Sequence, residues 1–379
     1  MQVTQLQTIL NDFIIPEVLG TDDVKVENLT DVVTVGQDIT SALTANGHMD
    51  NFVKKLIDRV GREINWNRPY ISAAPNILRD SWEYGSALLK TRADLSDFTI
   101  NDTWNLTAGV NYLDGTFTPP DVSAKIFNKR ATMEIDCSFA EIQLKEAFTS
   151  ATALGAFLGM IESRINDTMT VALDSMIMRT INTYMGAKIG ASNAVINLLP
   201  VFNTRFGTEL TAENAVTDKE FLRFAAYTIL LYRSRIRQMS KQYNVGGVAA
   251  HTPAEYQKLV LLSDFAVGAD VYLQSDTYHD ELVQTGDYYT VPSWQANKGN
   301  TWANNSAIKV THGQTETNVT GILGVLFDEN ACMVCCENRR VTSQYVPKGE
   351  FYNNYYKADC MYMIDPDENG VVFVAQDTE

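Results

Sequence analysis

Three cysteines in one short stretch have the spacing that most resembles a metal site. Cys332 and Cys335 are separated by two residues, and Cys336 follows directly, as in half of a tetrahedral zinc site. The nearest histidine is His312, and the sequence has no second Cys-x-x-Cys pair to complete four ligands. The stretch ACMVCC also fits a buried strand in which cysteine acts as a small apolar residue. We therefore predict a buried strand, with no metal and no cofactor.

The remaining candidates for chemistry do not form a recognisable catalytic pattern. The four histidines occur in no His-Glu-x-x-His arrangement, and we interpret His279-Asp280-Glu281 as a solvated turn. The sequence contains no Gly-x-Ser-x-Gly elbow, no phosphate-binding loop and no dinucleotide-binding glycine motif. We predict that the chain is not an enzyme and has no catalytic residues.

Composition narrows the function further. The 379 residues are 45% hydrophobic, which is enough for a sizeable core and more than one lobe. The net charge of −16 argues against a repressor, polymerase or nuclease, because such proteins attract phosphate. The first residues lack the features of a signal peptide, no apolar run approaches the roughly 18 residues of a membrane span, and five cysteines suggest free thiols in a reducing cytoplasm.

Residues 85–140 have the pattern of a long β-hairpin. Apolar and polar residues alternate from Phe98 to Leu106, and the tip around Asp114 to Pro120 is rich in residues that break strands. In the return arm the apolar positions are even up to Ile126 and odd from Met133 onward. We expect a bulge or bend near 128–131, because a one-residue slip turns every side chain to the other face. So long a hairpin cannot bury both faces against its own subunit; it either moves freely or lies on a neighbour.

A long amphipathic helix is predicted over 151–185. Apolar side chains recur there at three- and four-residue steps, at Leu154, Phe157, Leu158, Ile161, Ile165, Met169, Leu173, Met176, Ile177, Ile181 and Tyr184. At about 1.5 Å per residue, the helix would be on the order of 50 Å long.

A second lobe is predicted after this helix. Thr217 to Glu220 form a capping box, which predicts a helix that continues to about Gln242. A strand at 245–250 and a second helix that begins at Thr252-Pro253 are predicted to follow. The first of these helices ends in a basic cluster of Arg233, Arg235, Arg237 and Lys241. We interpret these cations as a match to the helix macrodipole rather than as a nucleic-acid site, and some of them could pair with acidic groups of a neighbouring subunit.

The end of the chain predicts two strands joined by a turn. From Phe351 to Ile364 the sequence alternates in the manner of a strand, with Tyr352, Asn354 and Tyr356 on one face. The residues from Asp365 to Gly370 then supply proline and glycine for a turn, and an apolar strand closes the chain. Tyrosines on both faces are typical of a sheet that is packed on both sides or lies at a subunit contact.

Three stretches resemble phage major capsid proteins of the Hong Kong 97 type. They are Pro16-Glu17-Val18, the segment VAAHTPAEYQKL at 248–259, and the strand, Asp-Pro turn and closing strand at 351–375. One long hairpin followed by one long helix is also the order of the extended loop and spine helix of this fold. The stretch VPKGEFYNNYY at 346–356 is similar to capsid proteins of small short-tailed phages.

The resemblance implies an α+β fold of the Hong Kong 97 type with six segments. These are an N-terminal arm (1–50), the start of the peripheral domain (51–84), the extended-loop hairpin (85–140), the spine helix with further peripheral domain (141–215), the axial domain (216–340) and the C-terminal strands of the peripheral domain (341–379).

The implied function is that of a major capsid protein. Its copies would form the pentamers and hexamers of an icosahedral shell, which encloses double-stranded DNA of a tailed bacteriophage without sequence-specific contact. Further implied partners are a portal protein and a separate scaffolding protein, the latter because the chain begins without a long charged helical pro-segment. The shell would assemble in the host cytoplasm, remain part of the virion and involve no membrane.

The resemblance also suggests which residues contact neighbouring subunits. The candidates are Phe13, Ile14 and Ile15 on the arm and Trp104, Tyr112, Leu113 and Phe117 on the hairpin. Some members of the family join a lysine of the extended loop to an asparagine of a neighbour by an isopeptide bond. Here the candidates would be Lys125, Lys129, Asn353 and Asn354, and we expect no cross-link because most members form none.

Two other functions fit parts of the sequence. An encapsulin-like nanocompartment uses the same fold to enclose a cargo enzyme, and a bound cargo peptide would distinguish it from a DNA-filled shell. A cytoplasmic α+β enzyme with an unrecognised site is the second alternative, for which the sequence provides no catalytic constellation.

Overall fold

The computed structural model describes residues 74–78, 87–96, 104–110, 119–140, 151–192, 194–274, 288–295 and 301–377. Within these ranges the helices are α1 (Ala151–Gly190), α2 (Leu198–Phe206), α3 (Ala212–Ala215), α4 (Lys219–Arg235), α5 (Ser263–Gln274) and α6 (Trp302–Asn305), and a 3₁₀ turn lies at Ala254–Tyr256. Over these ranges no helix is long and apolar enough to cross a membrane.

Twelve strands are present among the same residues. They are β1 (Leu88–Ala93), β2 (Val122–Phe127), β3 (Arg130–Ala140), β4 (Val195–Asn197), β5 (Gln257–Leu262), β6 (Tyr289–Val291), β7 (Ile308–His312), β8 (Thr315–Val319), β9 (Ile322–Asp328), β10 (Cys332–Val346), β11 (Phe351–Ile364) and β12 (Gly370–Val374). The chain divides into two compact units. The first comprises Met1–Ser72, Arg130–Met176 and Cys336–Met361, and the second comprises the remainder.

The first unit contains a three-stranded sheet with β11 between β10 and β3. β11 and β3 are antiparallel, with Tyr356 opposite Ile135. One face of this sheet packs against α1, where Met169 and Leu173 join Ala358 and Cys360 in a buried cluster. The spacing of these helix residues confirms the predicted amphipathic face, because positions four apart lie on one side of a helix.

The second unit is built on a five-stranded mixed sheet in the order β4-β12-β9-β5-β6. β9 is antiparallel to both of its neighbours, whereas β4 and β6 are parallel to the strands beside them. Every residue of β9 and of β12 is buried. A strand that is buried at every position has both faces covered, which here requires helices on each side of the sheet.

The two faces of this sheet pack against different helices. On one face α2, α4 and α5 contribute Phe202, Phe221 and Phe265, which form a continuous core with Phe373 of β12. Burying each such ring stabilises the fold by roughly 1.5–3 kcal/mol. On the other face, the last part of α1 places Tyr184 with its ring 5.8 Å from that of Phe327.

Gly370, at the start of β12, allows the close approach of Tyr184. A Cβ atom at this position would lie 2.2 Å from the Tyr184 hydroxyl oxygen. Because no side chain fits in that space, glycine at 370 is a packing requirement as well as the end of a turn.

The second lobe differs from its prediction at the start of α4. Asp218, and not Thr217, is the N-cap, and its carboxylate accepts a hydrogen bond of 2.8 Å from the Phe221 backbone N–H. The Thr217 hydroxyl instead donates to the carbonyl of Asn214. Both residue types are good N-caps, so the sequence pattern alone placed the N-cap one residue too early. The helix ends at Arg235, several residues before the predicted end.

The segment after α4 was also predicted wrongly. Residues 245–250 form a turn followed by irregular chain and not a strand, with an isolated bridge between Ser240 and Ala250. The predicted helix at Pro253 is a single 3₁₀ turn that leads directly into β5. β5 lies between β9 and β6, and its apolar run at 259–262 is buried there. A short apolar run fits either a buried strand or a helix, and tertiary pairing decides between them.

The hairpin prediction is confirmed in part. β2 ends at Phe127 and β3 begins at Arg130, which places the break within the predicted phase change. However, only β2 pairs with β1, whereas β3 pairs with β11. Residues 104–110 form turns and not a strand. The second half of the return arm, β3, therefore belongs to a sheet with β11 and not to the hairpin.

Candidate assembly surface

The β1–β2 ladder presents two faces of opposite character. Its register places Leu89 opposite Ile126 and Lys90 opposite Lys125. Because side chains alternate along a strand, the apolar pair and the cationic pair point to opposite sides. Leu89, Val122 and Ile126 are 61%, 59% and 67% exposed. The outer face is therefore apolar and open to solvent.

The inner face carries three cations that bind one turn. Lys90 and Lys125 both contact the Asp365 carboxylate, at 2.7 Å and 2.9 Å. Lys90 also pairs with Glu368, and Lys125 pairs with Asp367. We call this group, with Arg92, the ionic base of the hairpin.

Arg92 completes the ionic base. Its guanidinium lies 2.9 Å from the Glu368 carboxylate and donates to the backbone carbonyl of Asp367 at 3.2 Å. Like charges directly opposite each other in a ladder, as Lys90 and Lys125 are, destabilise a hairpin. The carboxylates of the turn remove this repulsion, so the ladder and the turn stabilise each other.

Burial and charge compete at Asp365. Its side chain is 2% exposed, and burial by itself raises the pKa of the carboxyl group. The hydrogen bonds and charges of Lys90 and Lys125 outweigh burial and leave the pKa below its ordinary value. For Lys125, burial lowers the pKa, but the hydrogen bonds that its ammonium donates to Asp367 and Asp365 raise the pKa above the ordinary value. Asp365 and Lys125 therefore both stay charged throughout the neutral range.

The turn itself has a defined backbone. The Asp367 N–H donates to the Asp365 carboxylate at 3.2 Å, as in an Asx turn. The Asp365 N–H donates to the carbonyl of Ala331, and the carbonyl of Pro366 accepts from the Val245 N–H. These bonds tie the turn to two other segments of the second unit, so the carboxylates have fixed positions before the hairpin cations bind them.

Lys188 supports the turn from the protein interior. This lysine is fully buried on α1, and its ammonium donates to the carbonyls of Tyr243 and Glu368 at 2.8 Å and 3.0 Å. Burial lowers the pKa of Lys188 to about 7, although the charges of Asp367 and Asp365 oppose this shift. The Tyr184 hydroxyl also donates to the Glu368 carbonyl, at 3.3 Å.

The ionic base and Lys188 were not predicted from the sequence. One signal was present for Lys188, because it continues the apolar stripe of Ile177, Ile181 and Tyr184 at helical spacing. For the ionic base, three cations in a hairpin and three carboxylates in a turn were visible separately. Their pairing was not, since Lys90 and Asp365 are 275 residues apart in the sequence.

The predicted contact residues are only partly described. Trp104 lies in the 104–110 turns with 95% of its surface exposed, and its role as a contact residue stays a prediction. Tyr112, Leu113 and Phe117 of the hairpin and Phe13, Ile14 and Ile15 of the arm lie outside the described residues.

The four cross-link candidates have separate roles. Lys125 belongs to the ionic base, and Lys129 is exposed. The amide oxygen of Asn353 accepts from the Ser138 hydroxyl at 2.6 Å. Asn354 is fully buried and donates to the Cys137 carbonyl at 3.4 Å.

The cysteines are buried in strands. Cys332 and Cys335 lie in β10 with almost no exposed surface, and burial strongly raises the pKa of the Cys332 thiol. Within the described ranges no three metal-binding side chains converge. The expectation of free thiols was wrong for Cys336 and Cys360, which form a disulfide, because β10 and β11 are neighbours in the sheet.

Comparisons with known proteins identify relatives of this arrangement. The model of a family described as Phi29-like phage major capsid protein matches residues 12–374. A chain in the capsid structure of Staphylococcus phage Andhra is similar, with 10% identity, coverage of 82% of this chain and 87% of that chain, and a TM-score of 0.52. A chain in the structure of the head fiber and inner core protein gp22 of native bacteriophage P68 is also similar. It has 11% identity, coverage of 82% of this chain and 87% of that chain, and a TM-score of 0.52. No curated protein matches the sequence.

Proposed function

The chain belongs to the Phi29-like phage major capsid protein family, and from this membership we propose that its copies form the pentamers and hexamers of an icosahedral shell. It is a structural subunit of the capsid of a tailed phage, and its fold is of the Hong Kong 97 type. The six segments named from the sequence remain our proposal for how this fold is divided.

The observation that carries the proposal is the two-faced β1–β2 ladder. The inner face is bound to the protein's own turn by five ion pairs, which orient the hairpin. The outer face, with Leu89, Val122 and Ile126, packs against no described element and stays exposed. An oriented element with an open apolar face is suited to cover a neighbouring copy, and we propose that this is its role.

The energy available from this contact is substantial. Covering an exposed Leu, Val or Ile side chain of this kind contributes about 1–2 kcal/mol each, so the three together contribute about 3–6 kcal/mol before the costs of association. Trp104 would add a large aromatic surface of the kind that dominates interfaces. Since a closed shell repeats each contact many times, modest single contacts suffice for a cooperative assembly.

An outer-face charge tests the proposal. Leu89→Asp should leave the protein folded and abolish closed particles, because the new carboxylate would be buried at every copy of the contact. The measurement is sedimentation velocity with negative-stain microscopy, on the chain expressed alone and with a scaffolding partner. Circular dichroism of the same sample shows whether the subunit is folded.

A matched control places the same charge on the other face. Ser123 lies on β2 opposite Arg92, so Ser123→Asp should assemble as the wild type does. Normal shells from the outer-face variant would contradict the proposed contact. Failure of the wild type to form particles under any condition would contradict the shell itself.

The remaining partners follow from the same proposal. We propose a separate scaffolding protein, a portal protein and packaged double-stranded DNA, with assembly in the host cytoplasm and the finished shell in the virion. The net charge of −16 suits a wall that does not bind its contents tightly. DNA that is protected from nuclease in purified particles would support this assignment, whereas an enclosed protein cargo would favour a nanocompartment.

We propose that the shell forms without isopeptide bonds. The carboxylates around Lys125 hold its ammonium protonated, and a protonated amine is not a nucleophile. Asn354 is enclosed in its own sheet. A subunit ladder that survives boiling in detergent would contradict this.

A further inference from the structure

The C-terminal end of α4 carries an excess of positive charge. Between Glu220 and Glu255 the sequence contains no acidic residue. Arg235, Arg237 and Lys241 are all exposed. Arg235 lies over the Tyr232 ring at 5.2 Å, and neither Arg237 nor Lys241 forms an ion pair with any residue that the structure describes. We call Arg237 and Lys241 the basic end.

The segment that precedes α4 in the sequence carries exposed carboxylates. Glu209 precedes α3 and Glu213 lies within it, and both are exposed. Asp377 joins them, since its carboxylate accepts from the Ala212 N–H at 3.0 Å. α3 ends at Ala215, four residues before α4 begins. The 17 residues of α4, about 25 Å of helix, lie in the sequence between this acidic end, Glu209 and Glu213, and the basic end.

The helix macrodipole explains only part of this distribution. Cations in the last turn and anions in the first turn stabilise a helix, which accounts for Arg233, Arg235 and Glu220. The effect falls off within one turn. Arg237 and Lys241 lie beyond the last helical residue of α4, and Glu209 and Glu213 lie before its N-cap, so the macrodipole of α4 accounts for these charges less well.

Each end also presents an exposed apolar side chain. Phe206, at the end of α2 and three residues before Glu209, is half exposed, and its ring meets that of Phe224 edge to face at 6.1 Å. Met239 is exposed between Arg237 and Lys241. An apolar centre with a charged rim is the usual composition of a protein interface.

A ring of identical subunits needs two different, complementary faces on each copy, because every contact is head to tail. We propose that the basic end of one subunit lies against the acidic end of the next around each capsomer. Two like ends brought together would repel, so the occupant of each end is the opposite end of a second copy. This inference rests on the proposed shell function and specifies a contact distinct from the hairpin face.

Charge reversal tests the pairing. Arg237→Glu with Lys241→Glu, and separately Glu209→Lys with Glu213→Lys, should each raise the protein concentration needed for particles by about tenfold or more, because attraction becomes repulsion. The variant with all four changes should assemble at the wild-type concentration. Light scattering over a concentration series measures this, with thermal melts to show that each subunit remains folded.

A mixture of the two double variants provides a sharper test. Alternating copies satisfy every contact in a six-membered ring but not in a five-membered one. The mixture should therefore form hexamers and incomplete or tubular particles, whereas neither variant does so alone.

Three outcomes would overturn the inference. In the first, either double variant assembles at the wild-type concentration. In the second, the variant with all four changes fails to assemble at that concentration. The basic-end variant could also form normal shells that lack packaged DNA, which would assign Arg237 and Lys241 to phosphate. A wild-type chain that forms no particles would instead contradict the proposed function, and the two failures are thus distinguishable.

Discussion

Removal of one carboxylate should detach the base of the hairpin. Asp365→Asn keeps the shape of the side chain but removes the charge that both Lys90 and Lys125 contact. The two lysines, which are opposite each other in the ladder, would then repel. Breaking a buried ion pair destabilises a protein by about 3–5 kcal/mol.

The expected loss is smaller than that because solvent reaches the cations. The Lys90 side chain is 23% exposed and that of Lys125 is 41% exposed, and Asp367 and Glu368 retain their contacts. We therefore expect a loss of about 2–4 kcal/mol after screening. Most of this loss should appear as local opening of β1 and β2, since the ionic base links both strands to the turn at 365–368.

Hydrogen exchange measures this directly. Amides of peptides that cover β1 and β2 should exchange on the order of 30-fold faster or more in the variant, which corresponds to about 2 kcal/mol, while β9 and β12 should change far less. The pH dependence has a definite sign. Because the folded pKa of Asp365 is lowered, its contribution is complete above the ordinary value of 3.8 and is lost as the pH falls through the folded pKa.

A second ion pair provides the control. Asp359 accepts two hydrogen bonds from Arg340 on the surface of the first unit, so Asp359→Asn makes the same chemical change at a solvated site and should have a smaller effect. If Asp365→Asn were as mild as this control, and protection of β1 and β2 were unchanged, the ionic base would not hold the hairpin.

Three further predictions concern other parts of the fold. Lys188 has a folded pKa of about 7, so between pH 7 and 9 the unfolded chain binds more protons than the folded one. Over that range the free energy of unfolding of the wild type should therefore rise by about 2 kcal/mol relative to that of Lys188→Met. The same pH dependence of the urea midpoint in both proteins would refute this. Reduction of the Cys336–Cys360 disulfide, which closes a 24-residue separation, should lower stability by about 3 kcal/mol; urea midpoints with and without reductant test it, and a double serine variant should show no effect of reductant. Deletion of 108–121 should leave a folded subunit that forms no shells in negative-stain images, whereas normal shells would show that the hairpin tip is not a contact.

Local patterns in the sequence were reliable where one face of an element was apolar over several turns or several residue pairs. The α1 stripe from Ile165 to Tyr184 and the alternation of β11 up to Cys360 both follow from the side-chain period of the element. The break between β2 and β3 was visible for the same reason.

Predictions failed where two local solutions have similar energies. The run at 259–262 could pack as a strand or as a helix, and pairing with β9 decided for the strand. Thr217 and Asp218 are both good N-caps, and the choice depended on which side chain reached the Phe221 N–H. In β11 the phase changes at Met361, where both Cys360 and Met361 are buried.

By itself the sequence determined the class of fold, the position of the long helix, the terminal Asp-Pro turn and the resemblance to capsid proteins, because each of these is encoded by residues that are close together in the chain. Only the tertiary structure decided that β3 leaves the hairpin to pair with β11 and that Lys90, Arg92 and Lys125 bind the turn at 365–368. Such contacts join residues hundreds of positions apart, and their energies depend on burial and distance, which the sequence does not specify until the chain has folded.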